Sequence, residues 1–481
     1  MKREIRKYYK YHYREQLDFR YRLYLLGKEK DLSKRVDIAR NLMFRLSTCG
    51  MGIYSCPELE KPFIELAKTV PPVKTQPYRQ NSFLHIMTQS YQVGGHTRVT
   101  ERWIETSPIA QKHSIVLLEQ QDESIPSKLE IITKNHNGDL YVFKEKTLIN
   151  KARMLRELSM QYEYIILHIH MCDPTVIVAF GTEDFTRPVI LFNHADYTYW
   201  CGASIVDLLA DLRDNEFAKK RRGIDNVYPL RIPFEPNKDI QRYSKTREQS
   251  RADLGLPLDK KIILTVGGAH KYRPFAGCEF CDFLSVALNS YEDVMCFGIG
   301  PTSDIGGWSK YGNKFTALGE IQYGKEYFDY LNACDVYVNS MPIGGGTAML
   351  DAIQFRKPVI SFSLFDDHLG EIIQGIDTYH DSKQFIHELK KILSSNSYAN
   401  NLATKQFYEV LKYHGEKNWR NNLINMLNIT PKKHCVKIHN NRLESVIDDL
   451  SIMVSLWNNS ISHKKLDFHD IYHIIRRVLK F

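Results

Sequence analysis

The stretch DVYVNSMPIGGGTAMLDAIQFRKPVISFS, residues 335–363, holds the clearest fold signal in the chain. Two apolar runs, DVYVNS and PVISFS, flank a triple glycine and a helix-length segment. Continuous apolar runs of this length are typical of strands buried on both faces of a parallel sheet. The stretch therefore predicts a strand–helix–strand unit with a glycine turn where the first strand ends.

The same rhythm continues on both sides of this unit. The other predicted strands are SFLHIMTQS (82–90), SIVLLE (114–119), YIILHIHM (164–171), TVIVAF (175–180), RPVILFNHA (187–195), KIILTVGG (261–268) and DVMCFGIG (293–300). Two consecutive series of this kind predict an α/β protein with two facing, doubly wound, Rossmann-like domains. We expect a basic helical N-terminal extension (1–75), one Rossmann-like domain at 76–240, a second at 241–430 and a helical C-terminal tail (431–481).

Composition excludes several other classes of protein. The chain has 481 residues, of which 43% are hydrophobic and 25% charged, as in globular proteins. No apolar run reaches the ~18 residues of a membrane helix, and the charged start MKREIRKYYK lacks the apolar segment of a secretory signal. Nine scattered cysteines, an odd number, argue against a disulfide framework and for a reducing compartment. We expect a cytoplasmic protein.

The net charge of +9 is concentrated near the N-terminus, where residues 1–45 contain fourteen Lys/Arg and six Asp/Glu. One interpretation is a solvated helical face. The other is a surface that docks on an anionic partner, such as the inner face of a membrane, since tyrosines alternate with the basic residues. No nucleic-acid motif accompanies them, so we expect no nucleic-acid partner.

Four turns that leave predicted strands carry candidate ligand groups, because ligands bind at the carboxyl ends of parallel strands. Glycine turns that precede a helix, and the basic residues beside them, suit a diphosphate. Histidine or a carboxylate at a strand end suits a general base. The candidates are Gly94, Gly95 and His96 in the first turn, His194 and Asp196 in the second, Lys271 and Arg273 in the third, and Gly344, Gly345, Gly346, Thr347 and Asp351 in the fourth.

The segment 319–363 resembles the donor-binding region of GT-B fold glycosyltransferases, in which two facing Rossmann-like domains hold a sugar nucleotide in their cleft. The resemblance covers about residues 80–430 and is strongest in the C-terminal half. It implies transfer of a sugar from a nucleoside diphosphate sugar to a hydroxyl of a glycan, lipid-linked or protein acceptor. The donor that we favour is a UDP-sugar. The N-terminal Rossmann-like domain would then hold the acceptor and the C-terminal one the donor.

The resemblance also assigns roles to individual residues. Gly344–Thr347 and Asp351 match the segment that holds the donor diphosphate and ribose. Lys271 with Arg273 matches the basic position that neutralises the leaving diphosphate, and Glu320 and Ile321 match the loop that reads the nucleobase. Gly94, Gly95 and His96 are similar to the loop that faces donor phosphate and acceptor.

The chain departs from the family in one informative place. Many retaining members carry a pair of Glu residues, the second where Asp351 stands, but Ile343 stands at the first position. The GGxTxxxD pattern is closer to inverting members, so we favour inversion, with His96 as the first choice of general base, then His194 or Asp196.

No two Asp residues are separated by one residue, the spacing of metal-dependent transferases, and no His/Cys set has zinc spacing. We expect no metal and no cofactor. Two alternatives stay open: a sugar-nucleotide epimerase of the same fold, and a GT-B scaffold that binds without catalysis. Synthesis of a surface polysaccharide or glycoconjugate is the role that we expect.

Overall fold

The computed structural model describes residues 2–49, 51–74, 76–92, 94–120, 125–195, 198–213, 222–234, 243–274, 279–289, 291–363 and 372–437. Within them the chain forms two parallel sheets, each flanked by helices. The predicted α/β class with two doubly wound parallel sheets is confirmed.

The first sheet consists of seven parallel strands. They are β1 (Arg79–Met87), β2 (Lys112–Leu117), β3 (Leu140–Val142), β4 (Tyr162–His168), β5 (Val189–Asn193), β6 (Leu208–Asp211) and β7 (Val227–Pro229). The helices before and between them are α1 (Lys2–Lys28), α2 (Leu32–Cys49), α3 (Pro57–Ala67), α4 (Gly95–Thr106), α5 (Ser127–Asn135), α6 (Leu148–Ser159) and α7 (Thr175–Phe180). The strand order is β3-β2-β1-β4-β5-β6-β7. It reverses between β1 and β4, which places a ligand crevice at their carboxyl ends.

The second sheet repeats this order with one strand fewer. Its strands are β8 (Lys261–Val266), β9 (Val294–Ile299), β10 (Phe315–Gly319), β11 (Val336–Val338), β12 (Val359–Phe362) and β13 (Thr378–Tyr379). Its helices are α8 (Arg247–Asp253), α9 (Phe280–Leu288), α10 (Lys325–Ala333), α11 (Gly346–Gln354), α12 (Ser382–Ser394), α13 (Asn396–His414) and α14 (Glu416–Ile429). The order β10-β9-β8-β11-β12-β13 reverses between β8 and β11. The loops that follow these two strands therefore carry the second crevice.

One predicted strand is wrong. The run TVIVAF forms helix α7, with all six residues buried. Pro174 precedes the helix, and the Asp173 carboxylate accepts a hydrogen bond of 3.0 Å from the Thr175 N–H. Because a short, fully buried apolar run has no periodicity to distinguish helix from strand, its flanking residues decide.

The N-terminal helices are part of the first sheet's core. Phe19 and Leu26 of α1, with Met43 and Leu46 of α2, are buried in the same hydrophobic cluster as Leu84 of β1. The described part of the predicted basic extension thus belongs to the hydrophobic core beside the first sheet. Other large apolar side chains of α1 and α2 stay exposed, with Tyr13 at 58%, Tyr24 at 44% and Phe44 at 60%.

Helix α4 connects the two sheets. It packs against α11 of the second sheet and against α14, which returns from the second half of the chain. Trp103 of α4 and Met349 of α11 belong to one hydrophobic cluster, and the Trp103 ring lies 5.3 Å from that of Trp419 in α14. The crevices of the two sheets therefore face each other across α4.

The described part of the predicted C-terminal tail, residues 431–437, is not helical and lies along the first sheet. His434 Nδ1 is 2.8 Å from an Asp207 carboxylate oxygen, and the Lys437 N–H donates to the Ser204 carbonyl at 2.8 Å. Residues 438–481 lie outside the described residues. In the described part of the chain, no helix combines the length and apolarity needed to cross a bilayer.

Candidate active site

The triple-glycine loop follows β11 and leads into α11. Asn339 shapes it, since its side-chain oxygen accepts hydrogen bonds from the N–H groups of Ser340 and Gly345, each 3.0 Å long. A Cβ on Gly344 would lie 2.6 Å from Asn339 Nδ2, so only glycine allows this approach. Thr347 lies partly exposed in the first turn of the helix, where backbone N–H groups attract an anion.

Lys271 brings a cation to this loop from the turn after β8. Its Nζ donates to the Gly344 carbonyl at 3.2 Å, and a Cβ on Gly345 would lie 3.0 Å from the same nitrogen. The adjacent Tyr272 is buried and bonded to Thr265 at 2.9 Å, which anchors the turn. Burial lowers the pKa of Lys271 to about 8, and its ammonium lies beside the glycine loop. Arg273 ends the same turn, partly exposed.

The glycine turn of the first sheet meets the second sheet's loop. Gly94 has a φ of +125°, and α4 begins at Gly95. A Cβ on Gly95 would lie 3.4 Å from Thr347 Oγ1, which places the two glycine turns in contact range. His96 follows in the first turn of α4, with its ring 4.3 Å from the His194 ring.

The two histidines differ in their hydrogen bonds. His194 Nε2 lies 2.8 Å from His168 Nδ1. Both ring nitrogens of His96 are buried, and neither makes a hydrogen bond of ordinary geometry, although the His168 backbone lies close enough to raise its pKa. Burial, and to a lesser degree His170, nevertheless lowers the pKa of His96 to about 3. Burial and the neighbouring His96 lower the pKa of His194 well below its usual range, so both rings are neutral. Asp196, the third candidate base, lies outside the described residues.

The Asp351 carboxylate is bound by side chains of α4 and α10. It is fully buried and accepts two hydrogen bonds from Arg98, at 2.6 and 2.8 Å, one from Arg102 at 2.8 Å and one from Tyr327 at 2.9 Å. Burial alone would raise the pKa of Asp351, but the Arg98 charge and these hydrogen bonds lower it. Arg98 and Arg102 are one turn apart on α4, so they close over the carboxylate that we expected to face ribose.

The predicted nucleobase loop lines a cavity of about 540 Å³. Glu320 and Ile321 are both on its wall, which continues along the loop to Glu326. Tyr323 from the same wall lies under the Arg98 guanidinium, 4.1 Å from the ring centre. Arg98 of α4 therefore contacts both the wall of this cavity and the Asp351 carboxylate.

Comparison with solved structures shows the fold of the chain. No protein-family model and no curated protein matches the chain. Among solved structures, Anabaena HepE in complex with UDP and glucose aligns with a TM-score of 0.52 and 13% identity, over 72% of this chain and 99% of HepE. A mutant O-GlcNAc transferase from Thermobaculum terrenum aligns at 0.53 with 12% identity, over 82% and 76%. A glycosyltransferase from Rickettsia africae aligns at 0.52 with 10% identity, over 73% and 99%.

This chain has the GT-B fold. The two facing Rossmann-like sheets form the cleft of that fold, and the predicted turns line it from both sides. The second sheet contributes a glycine loop, a helix N-terminus and Lys271, which together can hold and neutralise a diphosphate. The first contributes the neutral imidazoles of His96 and His194, which can take a proton from a hydroxyl.

Sequence reasoning missed the partners that the GT-B cleft brings together over long distances along the chain. Arg98 and Arg102 carry an i, i+4 spacing that marks one helix face, but nothing in the sequence pairs them with Asp351. Two buried histidines of the first sheet were also missed as site residues: His85, inside a predicted strand, and His113, one residue before another. In the described part of the chain, no group of three or more His, Cys, Asp or Glu is arranged to hold a metal ion.

Proposed function

We propose that this protein is a glycosyltransferase that moves a sugar from a nucleoside diphosphate sugar to a hydroxyl acceptor. The observation that carries the proposal is the approach of Lys271 and the Gly344–Thr347 loop to the glycine turn that carries His96, next to His194. HepE, which shares the fold, was solved with UDP and glucose, and this supports a UDP-sugar as donor.

The chemistry follows from the two sides of the cleft. One histidine takes the proton of the acceptor hydroxyl while the hydroxyl oxygen attacks the sugar carbon that bears the diphosphate. The bond from that carbon to the diphosphate oxygen breaks, and Lys271 with the N–H groups at the start of α11 stabilises the negative charge. A single displacement of this kind inverts the sugar carbon. Cationic side chains and backbone amides would neutralise the leaving diphosphate, as a metal ion does in metal-dependent transferases.

Nucleotide binding is the first test. Thermal unfolding is measured with UDP, GDP, CMP and NAD, each at millimolar concentration with EDTA. A ligand at 100 times its Kd adds about 2.7 kcal/mol of stability, a shift of several degrees. We expect a shift with UDP that survives EDTA. No shift with any nucleotide would contradict the proposal.

Product analysis separates the transferase from its two alternatives. With UDP-glucose, UDP-galactose or UDP-GlcNAc, a transferase releases UDP, and faster when a glycan acceptor is added. An epimerase converts the donor sugar without needing an acceptor, and a scaffold leaves the donor intact although it binds UDP.

We further propose that the N-terminal helices bring the enzyme to an anionic membrane, where a lipid-linked acceptor of surface polysaccharide or glycoconjugate synthesis would lie. The exposed Tyr13, Tyr24 and Phe44 occur on helices with a strong excess of basic residues. Aromatic side chains interleaved with cations suit the lipid interface.

Liposome flotation tests the membrane proposal. We expect binding to vesicles with anionic lipid, weaker binding at high salt and little binding to neutral vesicles. Lys28→Gln with Lys30→Gln should lower the affinity by about 1 kcal/mol per charge. The matched control is Lys405→Gln with Lys412→Gln on α13. Binding to neutral vesicles that is as strong as binding to anionic vesicles would contradict the proposal.

A further inference from the structure

Four histidines form a continuous hydrogen-bonded chain through the first sheet. His113 Nδ1 lies 2.9 Å from His85 Nε2, and His85 Nδ1 lies 3.0 Å from His168 Nε2. His168 Nδ1 then lies 2.8 Å from His194 Nε2. The chain joins four neighbouring strands, since His194 follows directly after β5.

The chain runs diagonally toward the cleft. His113 is paired in register with Phe83, two residues before His85, and His168 is paired with Met87, two residues after it. Steps of two residues keep the side chains on one face of the sheet. Each ring is thus one step nearer to the carboxyl edge than the last. Trp103 of α4 covers the middle of the chain, with its ring 5.5 Å from His85 and 5.8 Å from His168.

The contacts are all head to tail, because each Nε2 faces the Nδ1 of the next ring. A neutral imidazole has one donor and one acceptor nitrogen, so all four rings must share one tautomer. At the inner end, His113 Nε2 faces the Gln111 side-chain oxygen at 3.4 Å, an acceptor. This favours hydrogen on every Nε2. His194, which is partly exposed, is then the last ring of the chain, and its Nδ1 carries no hydrogen.

The surroundings keep the chain neutral. His85, His113 and His168 are fully buried, and burial lowers the pKa of each below its usual range, that of His85 to about 3. Their ring nitrogens satisfy one another, which removes the cost of unpaired polar groups in a sheet core.

We propose that this chain sets the tautomer of His194 and makes it the general base, with His168, His85 and His113 as positioning residues. The role rests on the glycosyltransferase function proposed above, but the tautomer does not. The Nδ1 lone pair of His194 takes the acceptor proton: the hydroxyl O–H bond breaks and an N–H bond forms. The Nε2–H bond stays intact, and its hydrogen bond to His168 steadies the positive ring, as the carboxylate does in a Ser-His-Asp triad.

Nitrogen NMR of protein labelled with ¹⁵N-histidine tests the tautomer, since a protonated ring nitrogen and a bare one resonate far apart. His194→Gln and His168→Gln assign the signals, and His387→Gln, an exposed histidine on α12, is the control. We expect His194 and His168 to carry hydrogen on Nε2, with scalar coupling across the N–H···N bond between them. A wild-type His194 that carries hydrogen on Nδ1, or a mixture of tautomers, would overturn the proposal without any variant.

Two substitutions of His168 then separate a positioning role from packing. His168→Gln keeps a side-chain oxygen that can accept from His194 Nε2–H, whereas His168→Phe fills the space with no acceptor. We expect His168→Phe to lose the single tautomer of His194 and about 10- to 100-fold in kcat, with KM for the donor little changed, and His168→Gln to restore part of both. An unaltered His194 tautomer in His168→Phe would refute the positioning role. Failure of UDP to bind would count against the proposed function alone, because the NMR result is independent of it.

Discussion

The two sheets share a strand order, yet their carboxyl edges have opposite chemistry. The edge of the first sheet presents His96 and His194, both neutral because burial lowers their pKa. The edge of the second presents Lys271, two glycines in tight contact and a helix N-terminus. Topology therefore places a crevice at each carboxyl edge, and the turn residues give one edge two neutral imidazoles and the other a cation beside a helix N-terminus.

The largest expected effect is on the side that carries the proposed general base. His194→Ala should lower kcat by about 10²- to 10⁴-fold, the range for loss of a general base, while UDP affinity stays within a factor of about three. His96→Ala should cause a smaller loss, because His96 contacts the His194 ring but is not part of the hydrogen-bonded histidine chain. Steady-state kinetics with the donor identified by product analysis, together with UDP titration, provide the measurement. A larger loss in His96→Ala would reverse the assignment.

The next largest effect is expected when the contact between the two sheets is removed. Asp351→Asn leaves Arg98 and Arg102 buried without their carboxylate, so the free energy of unfolding should fall by about 3–5 kcal/mol. Urea unfolding measures this loss. Asp282→Asn, which removes an exposed ion pair with Lys310, is the matched control and should cost less than about 1 kcal/mol.

The same variant sharpens the role of Asp351. If Asp351 leaves the arginines to bind ribose, Asp351→Asn should weaken UDP more than inorganic pyrophosphate, which has no ribose. Equal loss for both ligands would assign Asp351 to the α4 contact alone. A variant as stable as the wild type would show that the ion pairs contribute little.

The sequence predicted what depends on neighbouring residues. Apolar runs with glycine turns predicted the central strands of both sheets and the Gly344–Thr347 loop, because strand burial and turn geometry are local. The strands β3, β6, β7, β10 and β13 were not predicted. The helix over Thr175–Phe180 was missed since its burial on all sides removes periodicity. Arg98 and Asp351 are 253 residues apart, and His85 and His168 are 83 apart, so no spacing in the sequence could pair them.

A smaller effect is expected on the side that is proposed to bind the diphosphate. Lys271→Met should weaken UDP binding by about 1.5–3 kcal/mol, the worth of a hydrogen bond to a charged group, or about 10- to 100-fold in Kd. The apo variant should be about as stable as the wild type, because the hydrogen bond of Lys271 to Gly344 is exposed. Lys405→Met, exposed on α13, is the control. Weaker UDP binding with lower apo stability would indicate a folding defect instead.

The smallest effect is the pH dependence of the same contact. Lys271 is charged below its pKa of about 8 and loses its proton above it, so at higher pH Lys271 must take up a proton from the solvent when UDP binds. UDP affinity should therefore be level up to about pH 8 and then fall by up to about tenfold per unit. Titrations between about pH 7.5 and 9.5 avoid the ionisation of the terminal phosphate, near pH 6. Lys271→Met should give a flat profile, whereas a slope that persists in this variant would place the titrating group elsewhere in the cleft.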